Sequence, residues 1–223
     1  TDTLTTKMSG IRANTSIIIA SDYDQDGDED LFVGNHAVTG DFGKVPASFL
    51  LKNDGGKFVE DQDNPLGEIG MVTDAVWTDF NADGATDLIV IGEWMQPLFY
   101  KNEDGILKKE EVLDATLNGL WQSIQPFDID HDGDMDYLLG NWGTNSKFTA
   151  STAFPMTMYY SDFDNNGQTE TVVTTAKDGN YYPIQNLQEL GAQLVFLKKK
   201  YANNNDFAGD TVSQIFGEKA LNT

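Results

Sequence analysis

Residues 22–30 read Asp-Tyr-Asp-Gln-Asp-Gly-Asp-Glu-Asp and lead directly into the apolar run Leu31-Phe32-Val33. Acidic side chains stand at alternate positions, and Gly27 supplies the permissive backbone that a tight turn needs. A short run of branched and aromatic residues is typical of a β-strand. The pattern therefore predicts an acidic turn that feeds a strand.

The nine-residue design occurs four times. We number the copies loop one (22–30), loop two (79–87), loop three (128–136) and loop four (162–170). The first two intervals between loops suit a propeller blade of about 40–50 residues, and the third is too short for a full one. Runs rich in Val, Ile, Tyr, Phe and Trp flank the loops, so each loop is predicted to join two antiparallel strands.

Glycine-containing turns between apolar runs predict a second hairpin in a repeat. These turns are Asn53-Asp54-Gly55-Gly56, Asn102-Glu103-Asp104-Gly105 and Lys177-Asp178-Gly179. Together with the strands around the acidic loops, they give about four antiparallel strands per repeat, which is one blade. We therefore predict an all-β fold of three to four β-propeller blades, with an irregular loop over residues 141–155.

Two sets of apolar residues near the end of the chain recur at helical spacing. They are Leu187, Leu190, Leu194 and Leu197, and then Val212, Ile215 and Phe216. Asp210 is predicted to cap the second helix. Packing of this short helical segment on the sheet or its rim is the favoured interpretation, and a partner-binding helix is the alternative.

The charge balance points to a cation as partner. The chain has 36 acidic and 14 basic residues, a formal charge of −22, and no cysteine. Too few basic side chains are present to bind nucleic acid by neutralising phosphates. The missing cysteines exclude zinc thiolate sites, disulfides and thiol catalysis. No apolar run approaches the roughly 20 residues of a membrane span.

Oxygen-bearing side chains occupy fixed positions in the loops. Position 6 is always glycine, and position 7 varies, which fits a ligand that is a backbone carbonyl. The predicted metal ligands at positions 1, 3, 5, 7 and 9 are Asp22, Asp24, Asp26, Asp28 and Asp30; Asp79, Asn81, Asp83, Ala85 and Asp87; Asp128, Asp130, Asp132, Asp134 and Asp136; and Asp162, Asp164, Asn166, Gln168 and Glu170.

Such a cage requires a cation. Two carboxylates about 4 Å apart repel by roughly 4 kcal/mol at an effective dielectric near 20. Hard oxygen ligands in this number favour calcium, up to four ions, over magnesium, which takes fewer protein ligands in a stricter octahedron. An EF-hand is excluded because it needs a Glu at position 12 and flanking helices. Position 12 here is Val33, Val90, Leu139 and Val173, and these residues continue strands.

Candidate catalytic residues are few. His131 lies at the variable position 4 of loop three and is predicted to be an exposed turn residue, and His36 has no recognisable serine or aspartate partner. No nucleophile elbow, phosphate loop or dinucleotide fingerprint occurs, so we predict that the chain is not an enzyme. Trp94 and Trp142 follow strand ends and are candidates for stacking on a sugar or anchoring a peptide.

The repeated Asp-x-Asp-x-Asp-Gly-x-x-Asp loops, each followed by an apolar strand, resemble the FG-GAP or VCBS repeats of integrin-alpha-type β-propellers and bacterial cell-surface proteins. The resemblance covers roughly residues 15–184 and lacks the literal Phe-Gly and Gly-Ala-Pro elements. It implies that calcium lies in the hairpin between the first two strands of a blade. It also implies about seven blades, so the remaining blades are expected from a longer chain or another subunit.

This resemblance implies a calcium-binding propeller segment of a secreted bacterial protein that is extracellular, on the cell surface or periplasmic. The expected partner is a glycan or a protein bound at the rim. Two alternatives stay open: part of a calcium-dependent, lyase-like polysaccharide-degrading enzyme, and a scaffold between domains. We assign residues 1–184 to blades with four calcium loops and residues 185–223 to a helical insertion or tail.

The number of carboxylates predicts an order of calcium affinity among the loops. Loops one and three carry carboxylates at positions 1, 3, 5 and 9, whereas Asn81 and Asn166 each replace one in loops two and four. Fewer charged ligands weaken calcium binding, so loops two and four are expected to be the weaker sites. A site-resolved calcium titration measures this order, and tightest binding at those two loops contradicts it.

Overall fold

A computed structural model describes residues 12–64, 66–113, 117–143 and 150–217, in which thirteen strands and four short helices are formed. The chain divides into two compact units. The first consists of Thr1–Thr39 and Val45–Trp142, and the second of Gly40–Lys44 and Gly143–Thr223. In the part of the chain that the structure describes, no helix has the length and apolar character that a membrane crossing needs.

The first sheet of the first unit is a four-stranded antiparallel meander. Its strands are β1 (Ala13–Ser21), β2 (Asp30–Val38), β3 (Phe49–Asn53) and β4 (Phe58–Glu60), and they pair in chain order. Loop one joins β1 to β2, and the asparagine-glycine turn after Asn53 joins β3 to β4. This arrangement is the predicted blade.

The second sheet repeats the arrangement with β5 (Met71–Thr78), β6 (Asp87–Met95), β7 (Leu98–Glu103) and β8 (Ile106–Glu110). The far end of β6 also pairs with the hairpin that follows. That hairpin consists of β9 (Gly119–Phe127) and β10 (Asp136–Asn141), which are joined by loop three. The described part of the third repeat contains these two strands alone.

Strand β6 is buried on both faces. Leu88, Ile89, Val90 and Ile91 are fully buried. Because successive strand residues point to opposite faces, Leu88 and Val90 join one apolar cluster and Ile89 and Ile91 join another. A continuous apolar run, rather than an alternating one, is what a strand with packing on both sides requires.

The sheet of the second unit has three antiparallel strands. They are β11 (Thr157–Ser161), β12 (Glu170–Lys177) and β13 (Asn180–Pro183), with loop four between β11 and β12. The predicted turn at Asp178-Gly179 joins β12 to β13 and is confirmed. Residues 150–156, which precede β11, form no strand, as predicted for this irregular region, and residues 144–149 lie outside the described residues.

All four acidic loops close a hairpin, which confirms their predicted position between paired strands. The residue pairs at the base of the loops are Ser21 with Asp30, Thr78 with Asp87, Phe127 with Asp136 and Ser161 with Glu170. Position 9 is therefore the first residue of the second strand in every copy. The loop and the start of the strand share this residue.

Four short helices follow: α1 (Leu187–Gln193), α2 (Val195–Lys200), α3 (Asn204–Ala208) and α4 (Val212–Phe216). Leu190, Leu194 and Leu197 are fully buried in one cluster with Val172 of β12, so the predicted packing of helices on the sheet is confirmed. The leucine spacing nevertheless spans two helices rather than one. The chain leaves helical geometry at Leu194 (φ −109°, ψ 83°).

The predicted cap of the last helix is wrong by one residue. Thr211 caps α4, and its side chain and that of Gln214 bond reciprocally to each other's backbone amide. This capping box needs Glu or Gln three residues after the cap, and Asp210 has Ser213 at that distance. The Asp210 carboxylate instead accepts a hydrogen bond of 2.7 Å from the Tyr201 hydroxyl.

Candidate metal centres

The four loops share one backbone conformation. Glycine at position 6 has φ between 85° and 103°, and its amide donates to the carboxylate at position 1 in every copy. Position 4 is also left-handed, and the residues there are Gln25, Ala82, His131 and Asn165, with φ from 58° to 63°. The predicted exposed placement of His131 is what the structure shows. The φ of position 6 exceeds the range of about 50–70° that side-chain-bearing residues reach, which explains why position 4 varies while position 6 is glycine in all four copies.

Position 5 stabilises the turn from within. Its side-chain oxygen accepts the amide of position 7 in each loop. The pairs are Asp26 with Asp28, Asp83 with Ala85, Asp132 with Asp134 and Asn166 with Gln168, at 2.7–3.2 Å. The oxygen at position 5 therefore fixes the backbone at position 7. The carbonyl of position 7 remains a predicted metal ligand.

Position 9 carries a carboxylate into the protein interior. Asp30 and Asp87 are fully buried and Glu170 is nearly so. One oxygen of Asp87 accepts the Phe80 amide at 3.3 Å, and its other oxygen accepts the Asn102 amide at 2.7 Å. The residue at position 9 thus connects its own loop to the third strand of the same sheet. Asp30 makes the corresponding bond of 2.9 Å to the amide of Asn53.

Asn53 and Asn102 were predicted only as turn residues, and the structure gives them a larger role. The Asn53 amide group donates to the carbonyl of Glu29 at 3.1 Å, and its oxygen accepts the Gly56 amide at 2.8 Å. Asn102 makes the matching bonds to Thr86 and Gly105 at 2.9 and 2.8 Å. Each asparagine therefore ties position 8 of the acidic loop to the opposite turn. The sequence pattern that could have indicated this role is the Lys-Asn pair at the start of both turns, Lys52-Asn53 and Lys101-Asn102.

Three loops bring carboxylates together in the way a metal site requires. Within each set, one oxygen from every residue lies within 4.8 Å of the others. The sets occupy positions 1, 3 and 9: Asp22, Asp24 and Asp30; Asp128, Asp130 and Asp136; Asp162, Asp164 and Glu170. Loop two has Asn81 at position 3, so its corresponding set is two carboxylates, Asp79 and Asp87, and one amide. The position 5 side chains are not members of these sets.

Several carboxylate oxygens of loops one and four are buried without a partner among the described residues. They are Asp22 Oδ1, Asp28 Oδ1 and Asp30 Oδ2 in loop one, and Asp164 Oδ1 in loop four. Burial raises the pKa of Asp30 to about 6, and it raises the pKa of Asp87 and Glu170 as well. A buried carboxylate is costly unless it is protonated, hydrogen-bonded or bound to a cation. The donor set therefore fits a metal ion with hard-oxygen preference.

Lysine side chains approach two of the loops. Lys52 Nζ lies 3.4 Å from Asp24 Oδ2, and Lys101 Nζ lies 3.2 Å from Asp83 Oδ2. Each lysine immediately precedes the asparagine of its β-turn, but Lys52 contacts position 3 of its loop whereas Lys101 contacts position 5. One ammonium group offsets only part of the charge of three converging carboxylates, and it leaves the buried oxygens of Asp22 and Asp30 without a partner.

A polar cluster lies at the opposite ends of the strands from the loops. His36 Nε2 is 3.1 Å from Glu93 Oε2, and the amide group of Gln122 donates to Glu93 Oε1 at 2.9 Å. The hydrogen bond with His36 lowers the pKa of Glu93. The next residue, Trp94, is half-buried and left-handed (φ 60°), which is uncommon for a bulky side chain. The partner of His36 was not recognisable from the sequence, because the two residues are 57 positions apart.

Comparison with protein families identifies a repeat family that this chain matches. The model of an FG-GAP-like repeat fits residues 22–90 and, overlapping these, residues 79–139. Each match runs from one acidic loop through the next one and into the strand behind it, and loop four lies outside both. Comparisons with curated proteins and with solved structures gave no significant match.

The left-handed position 4 predicts a stabilising substitution. Ala82→Asn is expected to raise the free energy of unfolding by about 1 kcal/mol, because asparagine tolerates this conformation better than alanine. Ala85→Asn is the matched control, since the same loop holds Ala85 outside the left-handed region. Urea unfolding followed by tryptophan fluorescence at fixed calcium measures both, and an equal gain in the two variants contradicts the explanation.

Proposed function

Because the chain belongs to the FG-GAP-like repeat family, we propose that it is a calcium-binding β-propeller segment of a protein that is extracellular, on the cell surface or periplasmic. The observation that carries the proposal is the set of buried, unpartnered carboxylate oxygens of Asp22, Asp30 and Asp164. These oxygens belong to residues at positions 1, 9 and 3, where three carboxylates converge. The same positions recur in separate loops, so the arrangement belongs to the repeat.

Calcium suits these loops better than magnesium. The candidate ligands are carboxylate, amide and carbonyl oxygens, and calcium accepts six to eight such ligands in flexible geometry. Magnesium needs a strict octahedron and retains several water ligands. A loop that offers this many protein oxygens leaves too few positions for those waters. Calcium outside the cell is abundant, and a ligand that binds only the folded state adds stability by mass action. The abundance of calcium outside the cell therefore supports the proposed extracellular, cell-surface or periplasmic location.

The ion has a structural role in this proposal. It would be held by positions 1, 3 and 9, and position 9 already links the loop to the third strand through Asn53 or Asn102. Neutralising the converged carboxylates would therefore stabilise the hairpin and its contact with the next two strands together. Loop four offers the same positions in the second unit, with Glu170 in place of aspartate.

We propose that the segment binds a glycan or a protein ligand rather than catalysing a reaction. The cluster of His36, Glu93 and Gln122 beside Trp94 supports a binding surface at the ends of the strands that lie away from the loops. Polar groups that neighbouring side chains hold in place are suited to hydrogen bonding with a sugar or a protein side chain, and Trp94 follows Glu93 directly in the sequence. The His36–Glu93 pair is also the one observation that favours the alternative, a calcium-dependent polysaccharide-degrading enzyme.

Thermal unfolding with calcium and with chelator tests the metal proposal. All four tryptophans lie in the first unit, so their fluorescence reports its unfolding. Calcium at a hundredfold excess over its dissociation constant is expected to add about 2.7 kcal/mol per site, and magnesium is expected to add less. Asp22→Asn should reduce this gain, whereas Asp54→Asn, the same charge change in the exposed β3–β4 turn, should preserve it. An unchanged midpoint in calcium and chelator overturns the proposal.

The raised pKa of Asp30 leads us to expect that a lower pH stabilises the metal-free fold but weakens calcium binding to loop one. The pKa of about 6 in the metal-free fold lies above the ordinary value near 4. Its protonation therefore stabilises that fold, and this contribution is lost as the pH rises through 6. Calcium needs the ionised carboxylate, so its affinity for loop one should fall about tenfold from pH 7 to pH 5.

Calorimetric calcium titrations at the two pH values measure this effect. Asp30→Asn is the control, because it removes the titrating group and leaves the other loop-one carboxylates in place. Residual binding in this variant should lose the tenfold dependence. The same pH dependence in the parent and the variant would show that Asp30 is not the responsible group.

A further inference from the structure

The second unit contains a cavity of about 320 Å³. This volume lies at the small end of the range of about 300–1,000 Å³ that is typical of ligand sites. Its lining comes from the segment 40–44, from the start of β12 and from both ends of the α1 region. The residues that matter for its chemistry are Asp41, Phe42, Thr169, Val173, Gln185 and Gln193.

One wall of the cavity is held rigidly by hydroxyl groups. Asp41 Oδ1 accepts hydrogen bonds from the Tyr160 hydroxyl, at 2.8 Å, and from the Thr169 hydroxyl, and these two hydroxyls lie 3.0 Å apart. The Thr171 hydroxyl donates to the carbonyl of Phe42. A fixed wall of this kind lowers the entropic cost of binding a ligand.

Gly43 shows how closely this segment approaches the sheet. Its φ is +104°, and a Cβ atom there would lie 2.8 Å from the ring of Tyr160 and 2.9 Å from the Thr171 hydroxyl. Any other residue would displace the segment from β11 and β12. The position of Asp41 and Phe42 against the cavity therefore depends on glycine at this point.

The Gln185 side chain has an unused acceptor beside the cavity. Its Nε2 donates to the Thr171 carbonyl over 3.4 Å, which is a long bond, and its buried Oε1 has no hydrogen-bond partner among the described residues. The terminal torsion of glutamine is soft. A donor group inside the cavity can therefore recruit this oxygen with a small rotation.

The lining defines the charge and polarity of the ligand. Among the described residues that form it there is one carboxylate, no lysine and no arginine, which disfavours an anion. The negative charge of Asp41 is already partly satisfied by two hydroxyl donors, so the site does not demand a cation. Two amide side chains and a threonine offer donors and acceptors, while Phe42 and Val173 offer apolar surface. A small neutral molecule with several hydroxyls and an apolar face meets these conditions.

We propose that this cavity binds one neutral sugar unit. Gln185 and Gln193 bond its hydroxyls, the second oxygen of Asp41 accepts another hydroxyl, and Phe42 contacts the C–H face of the ring. The site contains none of the proposed calcium-ligating side chains and no residue of the cluster around His36 and Glu93, and the inference does not require that cluster to bind anything.

Saturation-transfer NMR and calorimetry on the 223-residue chain in calcium test this site. The probes are the methyl α-glycosides of D-glucose, D-galactose and D-mannose, together with N-acetyl-D-glucosamine; D-glucosamine and D-glucuronate are the charged comparators. At least one neutral probe is expected to receive saturation. Its affinity should fall about tenfold in Gln185→Ala and in Gln193→Ala, each of which removes hydrogen bonds to the sugar.

Gln188→Ala is the matched control, because Gln188 is an exposed residue of α1 outside the cavity lining. It should bind the probe as the parent does. Gln193 is itself exposed at the end of α1, so Gln193→Ala is informative even if Gln185→Ala fails to fold. Glu93→Gln instead probes the other cluster, to which the proposed function assigns a ligand surface, and it distinguishes sugar binding there from binding in this cavity.

Three results would overturn the proposal. The first is no saturation transfer to any of the four neutral probes. The second is binding of glucosamine without binding of a neutral sugar, which would identify a cation site instead. The third is a sugar affinity that is lost in Glu93→Gln and kept in both Gln185→Ala and Gln193→Ala, which would place sugar binding at the His36–Glu93 cluster.

Discussion

The carboxylate at position 9, which is buried in loops one, two and four, is the constraint on which the rest of those three repeats depends. Asp30, Asp87 and Glu170 begin a strand and at the same time close an acidic loop. A carboxylate in this environment needs hydrogen bonds and a positive charge. The protein supplies the hydrogen bonds from backbone amides, in two sheets from the third strand. In loop one, Oδ2 of Asp30 and Oδ1 of Asp22 still lack a partner among the described residues, and a bound cation is the partner that their geometry fits.

This constraint also explains how a local motif organises a whole sheet. The loop sets the register of the first two strands. At its base, the residue before position 1 pairs with the residue at position 9 on the second strand. Asn53 and Asn102 then connect position 8 to the turn between the third and fourth strands. Four strands are thereby tied together at one end by polar contacts. Apolar packing on both faces of β6 stabilises the rest of the sheet, and this packing does not depend on the polar contacts at the loop end.

The sequence predicted the features that arise from local chemistry and missed those that arise from distant pairs. The acidic loops, their flanking strands and the asparagine-glycine turns follow from residue types at fixed spacing. The partners of His36 and Asp41 do not, because Glu93 and Thr169 are 57 and 128 positions away. The cap of α4 was misplaced since Asp and Thr are both good caps, and the choice depended on a glutamine three residues later. The cavity beside Gln185 exists only once distant segments pack together.

Thr169 connects the two kinds of site in the second unit. It is position 8 of loop four and directly precedes Glu170, and its hydroxyl also holds Asp41 in the cavity wall. In the proposed calcium-bound form, an ion held by Asp162, Asp164 and Glu170 would restrict the backbone of Thr169 through its neighbour. The ion would then reduce the number of conformations open to the Asp41 wall without touching the ligand, which lowers the entropic cost of binding. A structural ion can in this way support recognition at a site where it is not itself a ligand.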